Sequence, residues 1–309
     1  MAQHFQFELY RINIVDTDPM FPDFGQRIRS DEQILAVLQK VTSSDFDLTQ
    51  ETKKAEYKWS VREFTDYGQI PGRGRVASVV LAKSTLKKDG MIVTDERIIS
   101  GTSDSFPPLA SMMMLFFDMD RHLVAAEYHG ELSQNKIWKS SFLKILLNAA
   151  YKMQMSSSLL LEEVPEKHEI VKLFRSFERL TRLKVYLRLP NPELSRYTKS
   201  IYEDLENGSI REYLQDMKNP GGLSKNEQAR PFASVALAEE GYKSGEVLFE
   251  GIKEGRFTKV RSSEEAARGK LEILKDYVRG ISANAKAKEA QQVLSAITAE
   301  IDRLHPKED

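Results

Sequence analysis

The chain of 309 residues has no cysteine. That excludes disulfides, thiolate-bound zinc and a cysteine nucleophile, and it fits a reducing compartment. No apolar run approaches the roughly 20 residues needed to span a bilayer. The start, Met-Ala-Gln-His, has neither the basic flank nor the apolar core of a secretory signal. The expectation is a cytoplasmic protein without membrane attachment. An excess of one charge is also missing: 45 Lys and Arg face 46 Asp and Glu, for a net charge of −1. The whole molecule is therefore no electrostatic magnet for nucleic acid or membrane. The phosphate-loop lysine motif, the dinucleotide fingerprint, the Gly-x-Ser-x-Gly elbow and the His-Glu-x-x-His zinc motif are all absent. There are only five His, none paired with an obvious serine, so a nucleophilic triad finds few candidate bases.

What is present is an ordinary globular composition, 41% hydrophobic and 29% charged, long enough for one large or two ordinary domains. Alternating and aromatic-rich segments predict strands at Phe5–Val15, Tyr57–Phe64 and Ser158–Val164. Hairpins are expected from Val76–Lys83 with Met91–Ser100, turning at Lys87–Gly90, and from Met112–Met119 with Leu123–Tyr128, bending at Asp120–His122. Ser30, followed by Asp31 and Glu32, looks like the capped start of a helix over Ile34–Val41. Asp16–Gly25 and Thr42–Thr52 look like loops, and Gly68–Arg75 a glycine-rich turn. Asn135–Met153 carries Trp138, Phe142, Ile145, Ala149 and Met153 on one helical face.

From Ser158 the pattern is strand, a helix from Pro165 to Leu180, then a strand, a β-α-β unit of ferredoxin-like character. Glu193–Met217 follows as one or two helices, and Pro220-Gly221-Gly222 as punctuation. A small meander is expected from Phe232–Ala238, Glu246–Ile252 and Arg256–Val260, then a helical hairpin from Ser262–Ile281 and Asn284–Leu304. The expected fold class is α+β, mainly an antiparallel sheet, with an α+β body over 1–219 and a smaller unit over 220–309 that can pack with it as one domain. The last helix spans only about two heptads, which favours packing on the chain's own body over self-assembly.

Thr181–Leu189 (TRLKVYLRL) carries the strongest signal. Leu183, Val185, Leu187 and Leu189 fall on one face of a strand, and Arg182, Lys184, Tyr186 and Arg188 on the other. Cations around an aromatic ring suit phosphate contact and base stacking. The segment before it adds Lys172, Arg175 and Arg179, with His168, at helical spacing, a cationic ridge if the helix runs to its end. Residues 132–200 hold 13 Lys and Arg against 6 Asp and Glu, between acidic flanks. Helix 135–153 presents Lys144, Asn148 and Lys152 away from its apolar stripe. Set against this, basic faces are often merely solvated or paired with nearby acids. The leading expectation is a non-catalytic protein that binds DNA or RNA through phosphates and stacking. The strands bound, any protein partner and the oligomeric state stay open.

A second constellation is acidic. Asp118, Asp120, Glu127 and His129, with His122, gather near a strand bend, and their oxygens and nitrogens suit Mg or Mn. A metal-dependent nuclease is the alternative this allows. The same residues also read as a plain hairpin tip. Pro71-Gly72-Arg73-Gly74-Arg75 can wrap a phosphate or simply turn the chain. The Met112–Phe117 run reads as a core strand. A third class is a protein-interaction subunit assembling through the C-terminal helices.

Three stretches, FELYRINIV at 7–15, FFDMDRHLVAAEYHG at 116–130 and LTRLKVYLRLPNPEL at 180–194, resemble an uncharacterised bacterial family of similar length often met near mobile elements and anti-phage defence loci. The resemblance implies a bacterial, cytoplasmic protein acting beside partners. It transfers no active-site residue.

Overall fold

Residues 113–117 are apolar without a break because their strand is covered on both faces. Met113, Leu115 and Phe117 enter one core, and Met114 and Phe116 another. A computed structural model describes residues 3–16, 29–93, 98–104, 108–133, 136–155, 157–166, 169–188, 199–208, 210, 212–243, 245–262 and 266–306. The Asp16–Gly25 loop (beyond residue 16), His168, Leu189 and the start of the 193–217 segment lie outside them.

In chain order the elements begin with β1 (His4–Asp16), α1 (Asp31–Lys40), β2 (Leu48–Glu51), β3 (Ala55–Gln69), β4 (Arg75–Val93), β5 (Ile98–Asp104), β6 (Ala110–Asp118) and β7 (Leu123–Glu127). They continue with α2 (Gly130–Ser133), α3 (Ile137–Lys152), β8 (Ser157–Glu163), α4 (Glu169–Ser176), β9 (Arg179–Arg188), α5 (Lys199–Asn207), β10 (Glu212–Lys218) and α6 (Arg230–Leu237). A π-helical turn at Ala238–Tyr242, then β11 (Leu248–Lys253), β12 (Arg256–Arg261), β13 (Arg268–Leu274), α7 (Lys275–Gly280) and α8 (Lys288–Leu304) complete the chain.

Among the described residues there are two sheets. The larger runs β13-β1-β7-β6-β4-β3-β2, with β5 on β4 and β8 on β1. α1 and α3 bury Leu38, Trp138 and Phe142 on one face, and α8 buries Leu294, Ile297 and Ile301 on the other. Ser30 caps α1 through a reciprocal capping box with Gln33. The smaller sheet runs β10-β9-β11-β12. Its inner face packs on α4, α5 and α6 through Phe174, Leu205 and Val235. The architecture is α+β and largely antiparallel. No helix among the described residues is long and apolar enough to cross a membrane.

Several expectations need correction. β8 belongs to the large sheet and β9 to the small one, so the segment Ser158–Leu189 forms no ferredoxin-like unit within one sheet. The small sheet is an insertion: β8 before it and β13 after it both pair with β1, and the Ala267 N–H donates to the Val164 carbonyl at 2.8 Å where the chain leaves and returns. The break at 219/220 therefore falls inside this lobe, between β10 and α6, which share one core. The expected first hairpin is displaced, since β4 runs straight through Lys87–Gly90 and pairs there with β5. The loop at 42–52 contains β2, and residues 212–218 form β10 rather than helix.

Phe232–Ala238 lies mostly in helix α6, with Pro231 in the first turn, where its fixed φ suits a helix start. The C-terminal helical hairpin is replaced by a strand, a short helix and a long one. In β13, Gly269 and Leu271 are buried while Lys270 and Glu272 face out, a period of two. Gly269 is needed because a Cβ there would sit 2.3 Å from the Phe7 ring. α8 packs on its own sheet, as its short apolar stripe suggests.

Candidate nucleic-acid interface

β9 alternates as expected: Leu183, Val185 and Leu187 are buried, and Arg182, Lys184, Tyr186 and Arg188 lie on the half-exposed side. β9 is an interior strand of the small sheet, so its outward residues lie near the middle of a half-exposed face, whose Arg188 end meets Glu162 of β8. The registers lay that face out in rows. Arg188 opposes Glu212, and Tyr186 opposes Leu214. Lys184 stands between Asp216 and Leu248, with Arg261 beyond. Arg182 stands between Lys218 and Glu250, with Lys259 beyond. Ile252 and the 66% exposed Phe257 close the far end.

Much of this charge is paired. Arg182 donates to both Asp216 oxygens at 2.8 and 2.9 Å and to Glu250 at 3.2 Å. The Arg182 hydrogen bonds, helped by Lys218, hold the Asp216 carboxyl down to about 2, and Asp216 first, then Glu250, push the Arg182 guanidinium pKa up. Lys259, at 3.0 Å, leads in lowering the Glu250 pKa. Arg188 pairs with Glu162 and Glu212. The Tyr186 hydroxyl donates to Glu212, which raises the phenol pKa. Among the described residues no carboxylate pairs with Lys184, although Asp216 is its register partner. Beside it lies a shallow depression of about 230 Å³, lined by Lys184, Tyr186, Leu214, Glu246, Leu248 and Arg261. Among the described residues the six cations of this face, Arg182, Lys184, Arg188, Lys218, Lys259 and Arg261, meet four carboxylates of the small lobe, Glu212, Asp216, Glu246 and Glu250, and a fifth, Glu162, from β8.

The expected helical ridge is not brought to this face. α4 ends at Ser176, so Arg179 opens β9 instead of continuing a helix to Arg182. Ile170 and Phe174 fix α4 on the inner side of the sheet, which puts Lys172 and Arg175 on the opposite side of the lobe from Lys184. Arg175 is held by Glu227 at 2.6 Å and lies over the Phe232 ring. The residues missed in the sequence are Lys218, Glu246, Phe257, Lys259 and Arg261, because pairing across strands assembles them. Their signal was local alternation: Phe257, Lys259 and Arg261 occupy every second position of β12.

The acidic constellation disperses. Asp118 pairs with Leu123 at one end of the β6–β7 ladder, while Glu127 extends past its other end. Four residues of strand separate those positions, roughly 13 Å. Asp120 accepts from the Arg75 N–H at 3.2 Å. Glu127 is fully buried, with Lys275 Nζ at 2.8 Å and Arg279 Nη2 at 2.9 Å, and it accepts from the Met114 N–H. Among the described residues no group of three His, Cys, Asp or Glu is placed to hold a metal. The Mg or Mn alternative therefore has no assembled site among the described residues. The 71–75 turn uses its cations internally, Arg73 on Asp302 and Arg75 on Asp66.

A second charged centre, unforeseen in the sequence, joins the lobes. Arg11, 1% exposed, donates to the Glu240 carbonyl at 2.6 Å and the Arg121 carbonyl at 3.0 Å. It also lies 3.2 Å from His305 Nε2 and over the Tyr242 ring. Arg121 donates to Asp302 and to the His305 carbonyl. Its signal was Arg11 itself, which follows Phe5, Phe7 and Leu9 in a core-facing phase of β1.

These features define an α+β protein with an inserted four-stranded sheet. Residues 86–276 match the family model described as Domain of unknown function (DUF4747), more than half the chain, and the protein belongs to that family. No curated protein matches it.

Proposed function

We propose that this protein binds single-stranded nucleic acid on the outward face of its inserted sheet. The observation that carries the reading is the depression at Tyr186: an aromatic ring flanked by Leu214 and Leu248, with Lys184 and Arg261 at its rim, on the half-exposed face of the sheet. Rings supply stacking surfaces for unpaired bases, and the cations meet phosphates. Tyr186 and Phe257 lie seven residues apart along the strand direction and two strands apart across it. That is roughly 25 Å by strand geometry, the span of a short single strand. The paired arginines and carboxylates keep the face pre-ordered, so less side-chain entropy is lost on binding. The mobile-element or anti-phage setting implied by the resemblance adds no support, because the matched family carries no assigned function.

Fluorescence anisotropy with labelled single-stranded DNA, single-stranded RNA and duplex DNA tests the reading. Single strands should bind more tightly than duplex. Tyr186→Ala should weaken them by tenfold or more, in keeping with about 1–3 kcal/mol per stacked base, while Tyr186→Phe retains most of the affinity. Equal binding by Tyr186→Ala, or no binding by the native protein at low salt, overturns it.

A further inference from the structure

Resting on that reading, we infer that the depression beside Tyr186 is a base-selective subsite for guanine, with Glu246 as the selecting residue. A carboxylate on a phosphate-binding face is costly unless it does something a neutral group cannot. Asp216 and Glu250 are each gripped by two cations, Arg182 with Lys218 and Arg182 with Lys259. Glu212 accepts from Tyr186 and pairs with Arg188. Among the described residues Glu246 has one partner, Arg261, whose Nη1 donates to Oε2 at 2.7 Å. It is the carboxylate at the depression with acceptor capacity to spare.

Its position suits an edge reader. Glu246 lies in the short segment between Lys243, which bridges to Leu187, and the start of β11, where Leu248 opposes Lys184, and it lines the same depression as Tyr186. A base lying on the Tyr186 ring between Leu214 and Leu248 turns one edge to that carboxylate. An ionised carboxylate only accepts hydrogen bonds. Guanine offers two adjacent donors on its Watson–Crick edge, the ring N–H and the exocyclic amine. Adenine and cytosine place one amine beside a bare acceptor nitrogen, and uracil or thymine places one N–H between two carbonyls. Each of these sets a lone pair against the carboxylate. Arg261 offsets the Glu246 charge, so the strand's phosphates are not driven off, and Lys184 is left for a flanking phosphate.

The test uses the full chain and oligonucleotides of uracil or thymine, in RNA and DNA form, with or without a single central guanine, plus versions with central adenine or cytosine. The central guanine should tighten binding by about tenfold, as expected for a two-bond base contact. Glu246→Gln should erase that advantage, so that strands with and without the central guanine bind it alike, and its thermal melt should match the native protein. Equal affinity for all four central bases overturns the guanine subsite and leaves the single-strand reading standing. A guanine preference that survives in Glu246→Gln overturns the role of Glu246. No binding of any strand overturns both.

Discussion

Glu127 illustrates how burial decides the role of an acidic residue. Its carboxylate is fully buried between Lys275 and Arg279, tying α7 to β7. Removing one member of such a group leaves the others charged and unpaired in a poorly solvated place. Glu127→Ala is expected to cost about 3–5 kcal/mol in urea unfolding, and the native protein's unfolding midpoint should not move with EDTA. A metal-binding role predicts a shift with EDTA instead. Two residues on, burial first and then Lys275 lower the His129 pKa below its ordinary 6.5. The folded state therefore favours the neutral ring. That contribution to stability is complete above pH 6.5 and is lost as pH falls through the lower folded value. Unfolding midpoints at pH 7.5 and 5 should drop less for His129→Gln than for the native chain. Equal drops would remove His129 from the pH dependence.

At the scale of elements, the inserted sheet depends on a tight irregularity between β9 and β11. Glu250 opposes Arg182 but Gly251 opposes Leu180, so Thr181 is the extra residue. A Cβ on Gly251 would lie 2.2 Å from the Arg179 carbonyl oxygen and 2.8 Å from the Leu180 Cα, both backbone atoms. Gly251→Ala should destabilise the lobe by about 1–3 kcal/mol or more. Hydrogen exchange should show β9 and β11 amides losing protection while β1, β6 and β7 keep theirs. Uniform loss would mean that the lobe and the large sheet unfold as one unit.

Elements with a clean period were legible. β9, α3 and the β6–β7 hairpin stand where alternation or helical spacing put them. α6 was not, because Phe232–Ala238 is buried almost all round and a wholly buried run has no polar face to reveal its period. β13 was hidden by its charged outward residues, which suit a helix equally well. Tyr186 and the basic residues beside it could be read from one strand. Glu246, Phe257 and Arg261 could not be assigned to the same surface, because only pairing across strands brings them there.

For the whole molecule, a net charge of −1 means that no long-range field draws a polyanion in. Binding then depends on the few cations of one face, and most of these already hold carboxylates. With about three phosphates neutralised, log K should fall against log salt with a slope near −2, since single strands release about 0.7 counterion per contact. Lys184→Ala should make that slope shallower by about 0.7. Lys172→Ala is the control set by the fold. Lys172 belongs to the same basic stretch of sequence, but α4 puts it on the other side of the lobe, so its removal should leave both slope and affinity unchanged. The two residues are twelve positions apart, and a binding surface formed by sequence composition alone would treat them alike. If the two variants lose equal slope, binding follows the basic segment and not the sheet face. If only Lys184→Ala loses it, the contact belongs to the face that β9 shares with β10, β11 and β12.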